Sequence, residues 1–520
     1  ATPQWFLSME KEGLRRDALA GIRKVSWIPD WGEQRITSMI ETRPDWCISR
    51  QRAWGVPLAM FVHKETGEPH PQTPELLERV AKLVEEGGIE AWFALNPRQL
   101  LGDESLVYEK CDDVMDVWLD SGVVHHCLPA LRPDVIPFPV DLYLEGSDQH
   151  RGWFHSSLLA SVAGRGVPPY RQVVTHGFAV DDKGRKMSKS LGNVVAPQKV
   201  MSTLGADVLR LWVAATDYSS EMNVSDEILK RMSDSYRRMR NTVRFLLGNL
   251  AGFDPARDAL PVDRMLEIDR WTLARAAALQ QEVIKAYRDY NFHLVYQKVH
   301  GFCVIELGAF WLDILKDRLY TMGATSAARR SAQTAMYHVA EAMVRWLAPI
   351  LSFTAEEIWK YLPGTRDESV LFATWWALPA VHASKAIDWD AVIALKTDVS
   401  RELEQLRAAG KLGAPLEAAV DVYLDEVQHR RMAAIGDELR FVLITSSARL
   451  LPAADRPAHA VPATSVAKTG AWITVGVLDA PKCARCWHRR PDVGIDPRHP
   501  EICARCVSNL DGPGETRQYA

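Results

Sequence analysis

The sequence has 520 residues, 47% hydrophobic and 25% charged, a balance that excludes collagen-like, coiled-coil and wholly disordered chains and leaves room for roughly three or four domains. Sixty-two Lys and Arg against 66 Asp and Glu give a net charge of -4, so a polyanionic partner has to be met by a local basic surface and not by bulk charge. No run approaches the roughly 20 apolar residues of a membrane span, and the N-terminus lacks a basic-then-apolar leader, so a cytoplasmic chain without membrane contact is expected. The opening at Ala1 reads as the middle of an element, and a piece of a longer chain is expected.

Residues 1–215 mix short apolar runs with Gly and Pro breaks, such as Asp141-Leu142-Tyr143-Leu144 before Glu145-Gly146, and Val173-Val174 before His176-Gly177. This punctuation predicts an α/β domain with buried strands. Residues 64–110 form a charged insertion, with an amphipathic helix near 75–86. From Ser225 the period turns helical: Leu229, Met232, Met239, Val243, Leu246 and Leu250 recur at steps of three, four and seven until Gly252 and Pro255. Further helices are predicted over 268–290, 293–320 and 326–346. Thr354 with Glu357 predicts a capping box for one more, ending near Pro363. Residues 216–380 therefore read as a helical bundle. Residues 381–480 read as a small α+β junction with a helix over 391–408 and strands over 419–424 and 472–478, followed by a Cys-rich segment at 481–508. There is no internal repeat.

Lys186-Met187-Ser188-Lys189-Ser190 follows Asp182-Lys183-Gly184-Arg185 and precedes Leu191-Gly192-Asn193. Three cations, Arg185, Lys186 and Lys189, beside Gly and Ser hinges suit a mobile loop that closes on a triphosphate and neutralises a leaving pyrophosphate. As composition alone, the run reads as a basic surface loop. In Glu145-Gly146-Ser147-Asp148-Gln149-His150-Arg151-Gly152-Trp153-Phe154, a buried strand is expected to emerge into a turn where carboxylates meet an ammonium or a ribose hydroxyl. The four-residue step from Gln149 to Trp153 places both on one helical face; the alternative is a capped helix start with core aromatics.

Cys47, Cys111, Cys127 and Cys303 are scattered and read as inert thiols. Cys483, Cys486, Cys503 and Cys506 form two CxxC pairs separated by 16 residues, suited to a closed tetrahedral Zn(2+) site of structural purpose. Two disulfides or four free thiols are the alternatives. Arg485, Arg489, Arg490 and Arg505 make this knuckle basic, a surface for RNA backbone. Lys230, Arg231, Arg237, Arg238, Arg240 and Arg244 crowd the helix after Ser225, a run whose ordinary reading is a solvated face.

The Lys186 to Ser190 string resembles the signature loop of class I aminoacyl-tRNA synthetases. Together with the Glu145 segment, Arg43-Pro44-Asp45-Trp46-Cys47-Ile48-Ser49-Arg50-Gln51-Arg52-Ala53-Trp54-Gly55-Val56-Pro57 and Asp116-Val117-Trp118-Leu119-Asp120-Ser121-Gly122, it resembles the isoleucyl-tRNA synthetase family across nearly the whole chain. The resemblance implies the second half of a Rossmann-like nucleotide-binding catalytic domain, a helical anticodon-binding bundle, the α+β junction and a C-terminal zinc knuckle. It implies ATP-dependent activation of isoleucine and transfer to tRNA(Ile), with Mg(2+) accompanying ATP, one structural Zn(2+) and a monomeric state. Lys186 and Lys189 would be catalytic and, with Ser188, bind ATP. Glu145 and Gly146 would meet the amino group of the aminoacyl-adenylate, Asp148 its ribose, Gln149 and Trp153 the amino-acid pocket, and Trp118 the pocket wall. His176-Gly177 and Gly184 would support the loop. Leu119 departs from the aromatic residue common at its position. The family's His-x-Gly-His motif and its editing insertion do not occur in these 520 residues, so this piece alone is expected to be inactive. A valyl-type synthetase and a non-catalytic tRNA-binding fragment are the alternatives.

Overall fold

The computed structural model describes residues 3–381, 386–467 and 469–520; the mid-element opening at Ala1 lies outside them. The chain divides into two units, Ala1–Lys186 with Tyr218–Asn223, and Met187–Asp217 with Val224–Ala520.

In the first unit, helix α1 (Leu14–Ile22) leads through β1 (Ser26–Ile28) to α2 (Trp31–Glu41). The insertion carries α3 (Thr73–Gly87), which buries Leu76 and Val80 against Phe61, Trp92, Leu95 and Leu101 in a small core of its own. β2 (Val140–Gly146), α4 (Trp153–Arg165) and β3 (Tyr170–His176) then form a crossover unit, and the parallel sheet has the order β1-β3-β2. Parallel neighbours require such a crossover, here the helix α4. The central strand is β3, with Val173 opposite both Trp27 and Tyr143. Its residues Tyr170, Val173, Val174 and Thr175 are buried, the near-continuous run of a strand covered on both faces.

The expectation that the strand over 141–144 is buried is corrected. β2 is an edge strand; Tyr143 packs into the core, whereas Leu142 and Leu144 are 36% and 55% exposed. Successive side chains point to opposite faces, so one covered face buries only every second residue.

In the second unit, α5 (Ala206–Ala215) precedes α6 (Asp226–Asn249), whose first turn is capped by the Ser225 hydroxyl accepting from the Ile228 N–H at 3.3 Å. Leu229, Met239, Val243 and Leu246 are buried, while all six cations of this helix are exposed. α7 (Glu267–Arg288) follows. The predicted helix over 293–320 is continuous but not uniform: α8 (Phe292–Gly301) passes into a π-helical stretch, Phe302–Trp311, before α9 (Leu312–Thr321). α10 (Ala327–Leu347) and α11 (Ser352–Trp359) complete the bundle.

The capping box at Thr354 does not form. The Thr354 N–H and hydroxyl donate to the Asp207 carboxylate of α5 at 2.7 and 2.6 Å, and Glu357 is exposed. A carboxylate from another helix satisfies the orphan donors of the α11 N-terminus and suits its dipole, so the local cap is superseded.

α12 (Trp389–Ala408) packs on a sheet in which β4 (Ala418–Leu424) lies between β5 (Ser447–Pro452), parallel to it, and β6 (Ala471–Val477), antiparallel. Ile268, Trp311, Trp346, Leu395 and Val420 belong to one continuous core, which joins bundle and junction. α13 (Ala504–Asp511) closes the knuckle. Among the described residues, no helix is long and apolar enough to cross a membrane.

Candidate functional site

At the carboxyl end of β2, Glu145 is exposed and its Oε2 accepts from the Gly146 N–H at 3.1 Å. Residues 147–151 form a single 3-10 turn, and Gly152 breaks it before α4 begins. Gln149 and Trp153 therefore do not share a continuous helical face as the sequence suggests. Instead Gln149 Oε1 accepts from the Trp153 N–H at 2.9 Å and its amide donates to Asp148 Oδ2 at 2.8 Å, so Gln149 caps α4 while fixing a carboxylate. The Trp153 ring stacks on Tyr143 at 4.0 Å and donates through Nε1 to the Ser121 carbonyl at 2.9 Å.

Trp118 lies in the short helix Val117–Gly122 and is 43% exposed. A Cβ at Gly152 would stand 2.5 Å from Gln149 Oε1 and 2.9 Å from the Trp118 ring, so this close approach requires glycine. Glu145, Gly146, Asp148, Gln149 and Trp153 thus share one strand end and the helix start after it, and Trp118 reaches them across Gly152.

One residue central to this arrangement carries no role in the sequence reading. Asp116, 5% exposed, accepts from the Trp118 N–H at 3.3 Å, from Trp46 Nε1 at 3.0 Å, and pairs with Arg50 at 3.0 Å. Its signal was the N-cap pattern of Asp116 ahead of Val117 and Trp118.

In the loop, Lys186 and Lys189 are exposed, and Lys186 Nζ lies over the Phe178 ring at 5.3 Å. The Ser188 N–H donates to Asn193 Oδ1 at 2.9 Å and the Leu191 N–H to Ser188 Oγ at 3.2 Å, so Ser188 organises the turn that carries Lys189. Arg185 is committed within the fold: it pairs with Asp181 at 2.8 Å. Gly177 supports the neighbouring backbone, since a Cβ there would fall 2.0 Å from the Ser220 carbonyl oxygen.

In the knuckle, the sulfurs of Cys483, Cys486, Cys503 and Cys506 all lie within 4.8 Å of one another and are buried. The Cys483–Cys506 and Cys486–Cys503 separations are 3.8 and 3.7 Å. Disulfides need about 2.05 Å, whereas a tetrahedron with metal–sulfur bonds of about 2.3 Å has edges of about 3.8 Å. The donor set and its spacing fit zinc.

The expectation that the knuckle arginines present a free basic surface is corrected. Arg505 makes two hydrogen bonds to Asp317, at 2.8 and 2.9 Å, and Arg485 donates to the Thr321 carbonyl at 2.5 Å. Arg489 pairs with Glu417 at 3.1 Å, and Arg490 faces Asp492 at 3.5 Å. Arg505 and Arg485 fasten the knuckle to α9 and Arg489 fastens it to the junction, whereas Arg490 pairs within the knuckle. Burial raises the Asp317 carboxyl, but Arg517 and Arg505 outweigh it and hold the group well below the usual carboxylate range.

A nucleotide-type parallel sheet, a lysine loop, a helical bundle and a four-cysteine knuckle follow one another along the chain. Comparison with known proteins agrees: residues 1–225 match the family of tRNA synthetases class I (I, L, M and V), 269–424 the anticodon-binding domain of tRNA ligase, and 481–509 the zinc finger found in FPG and IleRS. An isoleucine–tRNA ligase of Nitrosococcus oceani is 60% identical over 524 residues, covering 100% of this chain and 55% of the relative. One from Methylococcus capsulatus is 58% identical over 523 residues, covering 100% and 55%. Among solved structures, Mycobacterium tuberculosis methionyl-tRNA synthetase in complex with methionyl-adenylate is similar with a TM-score of 0.48 and 21% identity, over 68% of this chain and 62% of that one. The chain belongs to the isoleucine–tRNA ligase family and spans about half the length of the curated relatives it matches.

Proposed function

We propose that this chain contributes to an isoleucine–tRNA ligase, which activates isoleucine with ATP and passes it from the adenylate to tRNA(Ile). The observation that carries this reading is the 60% identity over the entire chain to a ligase of that name. In this reading residues 1–215 are the second half of the catalytic domain, with an insertion near 64–110. Residues 216–380 bind the anticodon, 381–480 form a junction and 481–508 a zinc knuckle. The enzyme works as a cytoplasmic monomer.

Glu145 and Gly146 meet the amino group of the adenylate, Asp148 its ribose, and Gln149, Trp153 and Trp118 the isoleucine side chain. The stacking of Trp153 on Tyr143 and its bond to Ser121 support a rigid pocket wall. The exposure of Glu145 at the strand's carboxyl end supports its contact with an ammonium. Lys186 and Lys189, with Ser188 shaping the turn, stabilise the charge that develops as pyrophosphate leaves. Mg(2+) would accompany ATP. Zn(2+) on the four cysteines would hold the knuckle in shape, and the catalytic residues named here make no use of it.

The test joins the chain to the upstream half of its relatives and measures ATP–pyrophosphate exchange with isoleucine, valine and leucine. Exchange is expected to favour isoleucine and to be absent from the 520-residue chain alone. Preference for valine, or robust exchange by this chain unaided, would overturn the respective part of the reading.

A further inference from the structure

The short helix Val117–Gly122 has little of its own to hold it in place. Of its six residues only Gly122 is buried, while Val117 and Trp118 are 67% and 43% exposed. A helix under about 12 residues is marginal in water by itself, and in proteins such helices are held by packing of an apolar face. Yet both tryptophans assigned to the amino-acid pocket depend on it: Trp118 belongs to it, and Trp153 donates to its Ser121 carbonyl.

What fixes the helix is Asp116. Its Oδ1 caps the first turn through the Trp118 N–H, while Oδ2 meets Trp46 Nε1 and the Arg50 guanidinium, both at 3.0 Å. These partners are themselves anchored. Trp46 is buried, and Arg50 donates to the Cys47 and Ser49 carbonyls at 2.8 and 2.7 Å. The Asp116 N–H donates to the Ile48 carbonyl at 2.7 Å, and Val114 and Met115 just before it pair with Arg50 and Ser49. The Asp116 charge also reaches Arg43, where it opposes the downward pull of burial on that guanidinium. Charge-assisted bonds are strong and directional, so a carboxylate bound from three sides is held in one orientation. The helix meets α4 closely as well: a Cβ at Gly122 would stand 3.1 Å from the Ser156 carbonyl, and one at Gly152 2.9 Å from the Trp118 ring.

We infer that Asp116 is a positioning residue for amino-acid selection: it sets the helix that carries Trp118 and the Ser121 carbonyl, and thereby the spacing between the Trp118 and Trp153 walls. The role rests on the reading of those two tryptophans as walls of the isoleucine pocket. Asp116 is itself 5% exposed, so it acts through these groups and not on the amino acid directly. Loss of the carboxylate frees a helix that buries almost nothing, and the consequence falls on the amino acid and not on ATP, whose phosphates are assigned to the lysine loop.

The experiment uses the chain joined to the upstream half of its relatives and measures ATP–pyrophosphate exchange for the parent, Asp116→Ala and Asp116→Asn. Asp116→Ala is expected to raise the isoleucine KM about tenfold, the loss typical of a charge-assisted contact. The isoleucine-to-valine ratio of kcat/KM should fall by about threefold as the walls loosen. The ATP KM and the maximal rate should stay within about twofold of the parent, a split that a merely structural role would not produce. Asparagine keeps an oxygen for the Trp118 N–H and gives up only the charge facing Arg50, so Asp116→Asn should restore part of the isoleucine KM. If Asp116→Ala does not fold, Arg50→Gln breaks the same pair from its half-buried partner and should raise the isoleucine KM with the same selectivity. An unchanged isoleucine KM in these variants, or isoleucine KM, ATP KM and rate worsening together as the unfolding temperature drops, overturns the role. A parent that prefers valine would overturn the isoleucine reading instead, and Asp116 would then be judged by the valine KM in the same way.

Discussion

Lys189 stands on a turn whose polar groups are satisfied by its neighbours: Ser188 bonds Asn193, and the Gly192 N–H donates to the Lys189 carbonyl at 3.2 Å. The ammonium is thereby presented without being needed for the turn itself. In the complete enzyme, Lys189→Ala is expected to slow adenylate formation by about 10²- to 10³-fold, as does loss of one charge-stabilising donor elsewhere, with little change in isoleucine affinity. Rapid-quench measurement of adenylate formation checks this; a variant that only weakens isoleucine binding would contradict the role. Arg185 offers the internal comparison, since its guanidinium is held by Asp181. At this scale the clustering of the cysteines, the strand-end position of Glu145 and the loop position of the two lysines were legible, because each is set by a short local string. Asp116 was not, because it earns its place through Trp46, 70 positions away.

At the scale of elements, boundaries were legible wherever one helix or strand decides its own fate. Ser225 caps α6 as its spacing predicts, and the apolar residues of α6 face the core. The reading broke where a distant side chain intervenes. Asp207 replaces the capping box of α11, and Arg210 donates to the carbonyls of Pro349 and Ile350 at 2.8 Å, so α5 and α11 are fastened by polar contacts some 140 residues apart in sequence. The knuckle arginines failed for the same reason: Asp317 lies 188 positions from Arg505. Breaking a buried ion pair from one side typically costs about 3 kcal/mol or more, so Asp317→Asn should loosen the knuckle by roughly that amount, read as faster amide exchange over 481–509. The sign of the pH dependence follows from its depressed pKa. The stabilisation is fully present above the ordinary carboxyl range, near pH 4, and is lost only as pH falls through the lower folded-state value. In Asp317→Asn this acid transition should vanish from the knuckle's exchange profile.

For the whole molecule, the helical bundle and the junction share one core, which the change from 3.6-residue to alternating periodicity near residue 410 does not reveal. Periodicity reports which face of an element is apolar and is silent about which other element covers it. The order of the parts was legible because each carries its own pattern. The assignment of residues 187–217 to the same unit as the bundle was not, since it arises from packing of α5 against α8 and α6.

The four-sulfur cluster makes the chain a gauge of its metal supply. With zinc on the four sulfurs, folding of the knuckle and capture of the metal would be a single equilibrium, in which a ligand bound only by the folded form adds about 1.4 kcal/mol for each tenfold rise in its free concentration above the dissociation constant. Arg505, Arg485 and Arg517 carry that increment into α9, because the groups they grip, Asp317 and Thr321, belong to its last turns. In zinc-buffered solutions, unfolding of the α9 end of the bundle should therefore move to higher temperature with the logarithm of free zinc, and calorimetry of the 520-residue chain across such a series would register it. A bundle transition that ignores the buffer would mean that the arginine contacts transmit nothing, and that the knuckle melts on its own.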